Sequence, residues 1–229
     1  MAYGSIQQME IILDAYGFAI WETIYSTLLA TLFAVIIGLP LGVLLVTGEE
    51  TGIRPMPKGI MQALNTVINL LRSIPFLILM VMVFPLSRLI LRTTIGTTAT
   101  IVPLTVAAAP YVARLVESSL REMDRGVVEA AQSMGCSTWQ IVTKVMLPEC
   151  LPSLINGATN ATITILGYGA MAGNIGGGGL GAIALMRGHG RGQTVVLYVA
   201  VILLVIMVQI IQSVGTALSV KMDKRISHK

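Results

Sequence analysis

Residues 194–220 read TVVLYVAVILLVIMVQIIQSVGTALSV, a run without a single charged side chain. A helix needs about 20 mainly apolar residues to cross a bilayer, because lipid offers no hydrogen-bond partner to an open backbone. The run is long enough. Hydrophobic residues make up 55% of the chain and charged residues 11%, whereas about a quarter of a soluble domain is charged. The stretch therefore predicts an all-α membrane protein.

Four further segments of the 229-residue chain have the length and composition of membrane spans. The second is the least regular of them, because Arg72 lies within it and Ile74-Pro75 predicts a kink. We therefore expect a multi-pass bundle of five transmembrane helices, in a transmembrane domain of residues 20–220 that follows an external segment 1–19 and precedes a cytoplasmic tail 221–229. The predicted spans are residues 20–46, 60–86, 97–115, 151–171 and 194–220.

The Lys and Arg residues are unevenly distributed around these spans. If the N-terminus is external, nine of the fifteen bases fall in cytoplasmic segments and four in external ones, while Arg72 and Arg114 lie within or at the edge of spans. Cytoplasmic loops carry an excess of Lys and Arg, so we predict an external N-terminus and a cytoplasmic C-terminus. The four external bases are Arg88, Arg92, Arg187 and Arg191.

The composition also bears on the classes of partner. The net charge is +4, but the bases are scattered singly between apolar runs, without a basic face or stacking aromatics, so membrane lipid is expected and nucleic acid is not. Cys136 and Cys150 lack the spacing of a zinc or redox motif. No metal or cofactor site is expected in this chain.

Residues 124–148 belong to the longest polar stretch, on the predicted cytoplasmic side. Asp124 is placed to cap a first short helix, and Gly135 to end it in the left-handed conformation that glycine tolerates. Ser137 and Gln140 have the spacing of a capping box for a second helix, which Pro148 is expected to end. The first helix carries a small apolar face, which predicts either packing beneath the chain's own bundle or cover by a partner.

The same segment contains a longer pattern. Glu129-Ala130-Ala131, Gly135 and Leu147-Pro148 stand at the spacing E-A-A-x3-G-x9-I-x-L-P, with Val145 in the place of Ile. The pattern resembles the EAA motif of ABC importer permeases. The resemblance implies a type I ABC importer permease in which residues 124–148 form coupling helices that dock into a cleft on an ATPase subunit.

Together with the EAA segment, four further motifs cover most of residues 65–181. They are Arg72-Ser73-Ile74-Pro75-Phe76, residues 101–105, Ala109-Pro110 and Gly167-Tyr168-Gly169-Ala170-Met171. These motifs resemble those of one branch of the ABC importer permeases, the methionine-uptake family. The resemblance implies a bacterial inner-membrane permease for methionine, working by alternating access. It also implies a second copy of the chain, two ATPase subunits and an external substrate-binding protein, which a lipid can anchor.

No phosphate loop with the pattern G-x4-G-K-[ST] occurs in the sequence. The glycine run at residues 176–181 lacks the Lys and Ser/Thr of that loop, and we interpret residues 172–193 as a compact external turn. ATP and Mg²⁺ are therefore expected on the partner subunit, and this chain is expected to be non-catalytic.

Polar residues and one methionine recur at helical spacing along the fourth predicted span, with Gly167 between them. Such a face is typical either of a substrate path or of hydrogen bonding between helices. Near the external end we hypothesise a gate that narrows the path, with packing against the fifth span as the alternative. The candidate path residues are Asn156, Asn160, Thr164 and, as the gate, Met171.

Arg72 also has two interpretations. A charge within a span is often functional, but an arginine can also extend its guanidinium to the lipid headgroups.

Three other functions are compatible with a membrane bundle. The nearest is the same machinery for another small amino acid. A passive channel has no need of the EAA segment. An intramembrane enzyme needs a nucleophile, carboxylate pair or metal set within the spans, which the sequence does not contain.

Overall fold

The computed structural model describes the backbone of residues 2–223 and the side chains of residues 15–223. All regular secondary structure in that part of the chain is helical, so the all-α prediction is confirmed. The predicted N-terminal segment 1–19 is helical from Ala2 and continues into the first span, and residues 224–229 of the predicted tail lie outside the described residues. The helices are α1 (Ala2–Thr47), α2 (Lys58–Ser73), α3 (Phe76–Leu91), α4 (Thr97–Arg121), α5 (Arg125–Ser133), α6 (Thr138–Gln140), α7 (Leu147–Glu149), α8 (Leu151–Ala172), α9 (Gly179–Ala182) and α10 (Thr194–Met222).

Helical segments cover all five predicted spans apart from a break at Ile74 and Pro75 in the second. Among the described residues, three helices are long and apolar enough to cross a membrane, namely Ala15–Thr47 of α1, α4 and α10. The count becomes four if α2 and α3 are taken together as one bent span. α8 has 22 residues, the length of a span, but it is not among these three helices.

The second predicted span, residues 60–86, is not one helix. α2 ends at Ser73 and α3 starts at Phe76, while Ile74 (ψ 127°) and Pro75 (ψ 135°) are extended. Proline has no backbone N–H and holds the preceding residue out of the helical region, so the expected kink is a complete break. Arg72 consequently lies exposed in the last turn of α2, where a cation stabilises the helix C-terminus.

The chain forms two compact units. The first comprises residues 1–31, 75–106 and 162–210, and the second comprises residues 32–74, 107–161 and 211–229. In the first unit, Tyr16, Leu180 and Ala200 belong to one buried cluster, and the Tyr16 hydroxyl donates to the Val196 carbonyl at 2.9 Å. In the second unit, Leu45, Ile68 and Ala113 form a buried cluster.

Two pairs of glycines, Gly38/Gly42 and Gly169/Gly173, have GxxxG spacing, which favours close packing between helices. Gly38 and Gly42 pack in this way in the second unit, because a methyl group on Gly38 would lie 2.7 Å from Val112 Cβ, too close to be accommodated. Gly173 packs equally closely, since its methyl group would lie 2.2 Å from the Ala182 nitrogen. Gly169 differs, since nothing in the described chain lies within 4 Å of that position.

Candidate functional site

The candidate coupling segment, residues 124–148, begins with a capped helix as predicted. Asp124 is extended (φ −63°, ψ 122°), and its carboxylate accepts a hydrogen bond from the Gly126 N–H at 2.8 Å. The cap satisfies one of the backbone donors that the first turn of a helix leaves open. The start of α5 is therefore fixed by local sequence alone.

Gly135 ends α5 with a left-handed turn, and this prediction is confirmed. Its φ is +77°. The Gly135 N–H donates to the Gln132 carbonyl at 2.9 Å, and the Cys136 N–H donates to the Ala131 carbonyl at 3.1 Å. These two bonds define a Schellman motif, in which the positive φ lets the chain reverse while the last carbonyls stay satisfied. The motif sets the angle at which the chain leaves α5.

The second helix of the segment starts at the predicted capping box. The Gln140 N–H donates to the Ser137 hydroxyl at 3.3 Å, and the Ser137 N–H donates to the Gln140 side-chain oxygen at 2.8 Å. Pro148 does not end the helix as expected, because helical backbone continues to Glu149. A π-helical turn, Ile141–Met146, precedes the proline. We attribute the accommodation of Pro148 to this wider turn, since proline cannot donate an ordinary helical hydrogen bond.

The two faces of the segment differ in exposure. Ile141, Val142 and Met146 are buried on the inner side of the second helix. On α5 only Ala131 is buried, at 2% exposure, so the predicted apolar face is largely uncovered. Met134 is 76% exposed and Trp139 75%, on either side of the Gly135 turn. Of the other EAA-pattern residues, Leu147 is half-buried, whereas Glu129, Ala130 and Pro148 are exposed.

The second candidate site is the row of residues on α8. Because α8 is continuous, the spacing of four places Asn156, Asn160 and Thr164 on one helix face. Asn156 and Asn160 are exposed and Thr164 is half-buried. Met171 is 48% exposed, so packing against the fifth span does not bury it. A methyl group on Gly167 would meet no atom of the described chain within 4 Å.

The glycine-rich segment 172–193 is more ordered than the predicted turn. It contains a 3-10 turn (Gly173–Ile175), then α9, then a π-helical turn (Ile183–His189). Helical backbone forms here because Ala, Leu, Ile and Met follow the glycines, and Leu180 is fully buried. The segment is therefore a short helix with a glycine-rich entry.

The start of that helix is already occupied by a carboxylate of the chain itself. Glu22 Oε2 accepts from the Gly179 N–H at 2.8 Å, and its Oε1 accepts from the Thr97 hydroxyl at 2.6 Å. The Thr23 hydroxyl oxygen accepts from the Leu180 N–H at 2.9 Å. Helix N-termini attract anions, and here Glu22 supplies one. Sequence reasoning missed Glu22 because its partner Gly179 lies 157 residues away.

A charged network in the second unit was also missed. On α4, Arg114 Nη1 donates to Glu117 Oε2 at 2.6 Å, and Arg121 Nη2 donates to Glu117 Oε1 at 2.8 Å. Arg114 Nη2 also donates to the side-chain oxygens of Asn65 at 2.8 Å and Asn69 at 2.9 Å on α2. The spacing of three and four residues between these charges was a visible signal, since it places them on one helix face.

Comparisons with known proteins agree with these features. A model of the family described as binding-protein-dependent transport system inner membrane component matches residues 38–228. The chain is 48% identical over 208 residues to the probable D-methionine transport system permease protein MetI of Vibrio cholerae, which covers 90% of this chain and 92% of that protein. It is 45% identical over 154 residues to the D-methionine transport system permease protein MetI of Escherichia coli K12, over 67% of this chain and 70% of that one.

Solved structures give the same result for the fold. A chain from an inward-facing structure of the MetNI methionine ABC transporter superposes with a TM-score of 0.90 at 41% identity, over 95% of this chain and 99% of that one. A chain of an amino acid ABC transporter superposes with a TM-score of 0.70 at 20% identity, which shows a shared fold.

The matched residues 38–228 contain the whole of the coupling segment and of α8. The resemblance to ABC importer permeases that the sequence motifs indicated is therefore confirmed. The chain belongs to the family of binding-protein-dependent transport system inner membrane components.

Proposed function

We propose that this chain is the permease subunit of an ATP-binding-cassette importer that carries methionine across the bacterial inner membrane, driven by a separate ATPase subunit. The observation that carries the proposal is the coupling segment. It is a helix-turn-helix whose shape is fixed by the Schellman turn and the capping box. Its apolar tip, Met134 and Trp139, is not covered by any other part of the described chain.

The exposed tip has the chemistry of a docking surface. Met134 and Trp139 each leave about three quarters of their surface exposed, at 76% and 75%, although large apolar side chains usually stabilise a protein when buried. Aromatic residues often supply much of the binding energy at protein interfaces. The occupant we infer is an ATPase of the same importer, since the named structural relative is part of the MetNI methionine ABC transporter.

The docking proposal can be tested by co-purification of the chain with its ATPase from detergent. We expect Trp139→Ala and Met134→Ala to weaken the complex by about 2 kcal/mol or more each, the usual cost of losing an interface hot spot. Ser133→Ala is the matched control, because its exposed hydroxyl donates only to the Glu129 carbonyl of the same helix. Retention of the ATPase by the Met134→Ala/Trp139→Ala double variant would refute this docking surface.

Methionine is the proposed substrate because the relatives from Vibrio cholerae and Escherichia coli carry the name of D-methionine transport system permease proteins. The proposed path follows the exposed face of α8, where Asn156, Asn160 and Thr164 offer uncharged polar groups. Met171 is the proposed gate of that path. An apolar, flexible thioether can close a narrow passage to water and still adapt to a methionine side chain. The runner-up is another small amino acid, and a substrate panel separates the two.

The assembly we propose is a pair of permease chains about a two-fold axis, with two ATPases and an external binding protein. The open space at Gly167 and Gly169 on α8 supports the pairing, because glycines allow close approach of a second helix. The Lys and Arg asymmetry supports an external N-terminus and a cytoplasmic coupling segment. A passive channel is disfavoured, since it would need no exposed, rigidly capped docking segment.

A further inference from the structure

The coupling segment joins the rest of the second unit at the end of α4. α4 ends at Arg121, and Asp124, the cap of α5, follows three residues later. Only Glu122, Met123 and Asp124 separate the two helices. A displacement of α5 therefore acts first on the last turn of α4, and its effect depends on what holds that turn.

The last turn of α4 is held by hydrogen bonds from the Arg121 guanidinium to two carboxylates, those of Glu117 and Glu49. Arg121 Nε and Nη2 donate to Glu117 Oε1, at 3.1 and 2.8 Å, one turn back on α4. Its Nη1 donates to Glu49 Oε2 at 3.1 Å, and its Nη2 donates to Glu49 Oε1. Glu49 follows the end of α1. The planar guanidinium bound to both oxygens of Glu49 fixes direction as well as distance, which a point charge cannot do.

Glu117 extends the connection to α2. Its second oxygen accepts from Arg114, which in turn donates to Asn65 and Asn69. The side chains of Glu117 and Arg114 are only 11% and 20% exposed. Two arginines and two glutamates cancel in charge, so the network is tolerated where an isolated charge would be costly. The network links the ends of α1 and α4 to the middle of α2.

Packing between α5 and the segment that follows α1 is incomplete. A cavity of about 440 Å³ is lined both by α5, through Val128 and Glu129, and by the segment after α1, through Thr51 and Ile53. Glu49 and Arg121 line the same cavity. Because the cavity separates α5 from the segment after α1, the hydrogen bonds between Arg121 and Glu49 at its edge are a direct connection from the end of α4 to that segment.

We propose that Arg121 is a positioning residue that transmits the movement of the coupling segment to α1 and α2. The inference rests on the proposed function, in which an ATPase moves that segment. Without Arg121, the ATPase would still dock and hydrolyse ATP, but fewer hydrolysis events would move the spans. The expected signature is a lower ratio of substrate uptake to ATP hydrolysis, which a purely structural residue would not change.

The test uses the complete importer reconstituted in lipid vesicles, with radiolabelled methionine uptake and phosphate release measured on the same sample. Arg121→Gln should lower the uptake-to-hydrolysis ratio by about 2- to 30-fold, the range expected for residues that carry coupling. Arg121→Lys keeps the charge but loses the planar fork, so it should give a smaller loss. Glu49→Gln should resemble Arg121→Gln, and the double variant should be no worse than Arg121→Gln alone.

Glu50→Gln is the matched control, because Glu50 neighbours Glu49 but pairs with Lys58 in an exposed ion pair. The inference would be overturned if assembled Arg121→Gln had the same uptake-to-hydrolysis ratio as the control. It would also be overturned if the loss in the double variant were the product of the losses in Glu49→Gln and Arg121→Gln. If Arg121→Gln fails to assemble, Arg121→Lys and Glu49→Gln decide by the same criterion. Absence of ATP-driven uptake in the unsubstituted complex would instead refute the proposed function, and this inference with it.

Discussion

Replacing Gly135 with valine tests the shape of the coupling segment directly. Gly135 has φ +77°, a left-handed conformation in which an L side chain costs about 1–2 kcal/mol, and β-branching adds to the strain. The cost is purely one of backbone conformation, because nothing in the described chain lies within 4 Å of an added methyl group. A penalty of that size reduces the ratio of the native turn to alternative conformations by a factor of about 5–30.

The two hydrogen bonds of the Schellman motif are lost with the turn. Each contributes about 0.5–1.5 kcal/mol net. Their loss should therefore change the conformation of the whole segment and not only that of residue 135. The segment lies outside the candidate spans, so membrane insertion should be unchanged. We therefore expect Gly135→Val to lower ATP-driven methionine uptake by at most this factor of about 5–30.

The assay is methionine uptake together with co-purification of the ATPase. Gly135→Asn should retain most activity, because asparagine tolerates the left-handed conformation better than other side chains. Gly59→Ala is the matched control, since Gly59 also has open space around it but lies in α2. Normal uptake and normal ATPase association in Gly135→Val would refute the reasoning.

Three further predictions follow from other parts of the chain. In a background without Cys136 and Cys150, a cysteine at Ala2 should react with an impermeant reagent on intact cells and one at Lys229 should not; labelling at residue 229 would reverse the topology. Met171→Ala should assemble normally, because the Met171 side chain is 48% exposed and its loss removes little buried surface. The variant should leak substrate or hydrolyse ATP without transport, and transport that stays coupled to ATP and free of leak would contradict the gate hypothesis. In Glu22→Gln the side chain has one carboxyl oxygen fewer to accept from the Gly179 N–H and the Thr97 hydroxyl. The substitution should lower the free energy of unfolding by about 1–3 kcal/mol relative to Glu50→Gln, and an unchanged stability would contradict the role of Glu22 as a helix cap.

The coupling segment could be predicted in detail because its determinants are local. The Asp124 cap, the Gly135 turn and the Ser137–Gln140 box each involve residues within five positions of one another, so their spacing is visible in the sequence. Pro148 was misjudged because the sequence gives no sign of the π-helical turn before it. Local rules thus predicted where this segment starts and turns, but not where it ends.

Contacts between distant residues could not be predicted. The carboxylate of Glu22 was unremarkable in the sequence, since its role depends on Gly179 and Thr97 reaching it through tertiary structure. The ion-pair spacing on α4 was visible, but its extension to Asn65 and Glu49 was not. The break at Ile74–Pro75 was expected as a kink, because the proline is visible while the extended backbone it imposes on both residues is a product of folding.

The path along α8 stays a prediction for a related reason. Asn156, Asn160 and Met171 are exposed in the single chain, and in the proposed assembly a second chain would face them to form the path. Exposure of Asn156, Asn160 and Met171 is what such a face requires, but it does not identify the solute. The substrate is therefore inferred from the relatives and must be measured.

The most direct test of the account is ATP-driven uptake by the purified chain, reconstituted in vesicles with its ATPase and binding protein, across a panel of radiolabelled amino acids. We predict that methionine accumulates only when ATP is present on the side of the membrane where the ATPase lies. We also predict that the uptake of methionine exceeds the uptake of every other amino acid of the panel. Accumulation that is independent of ATP, or methionine uptake no greater than that of vesicles lacking this chain, would contradict the central claim.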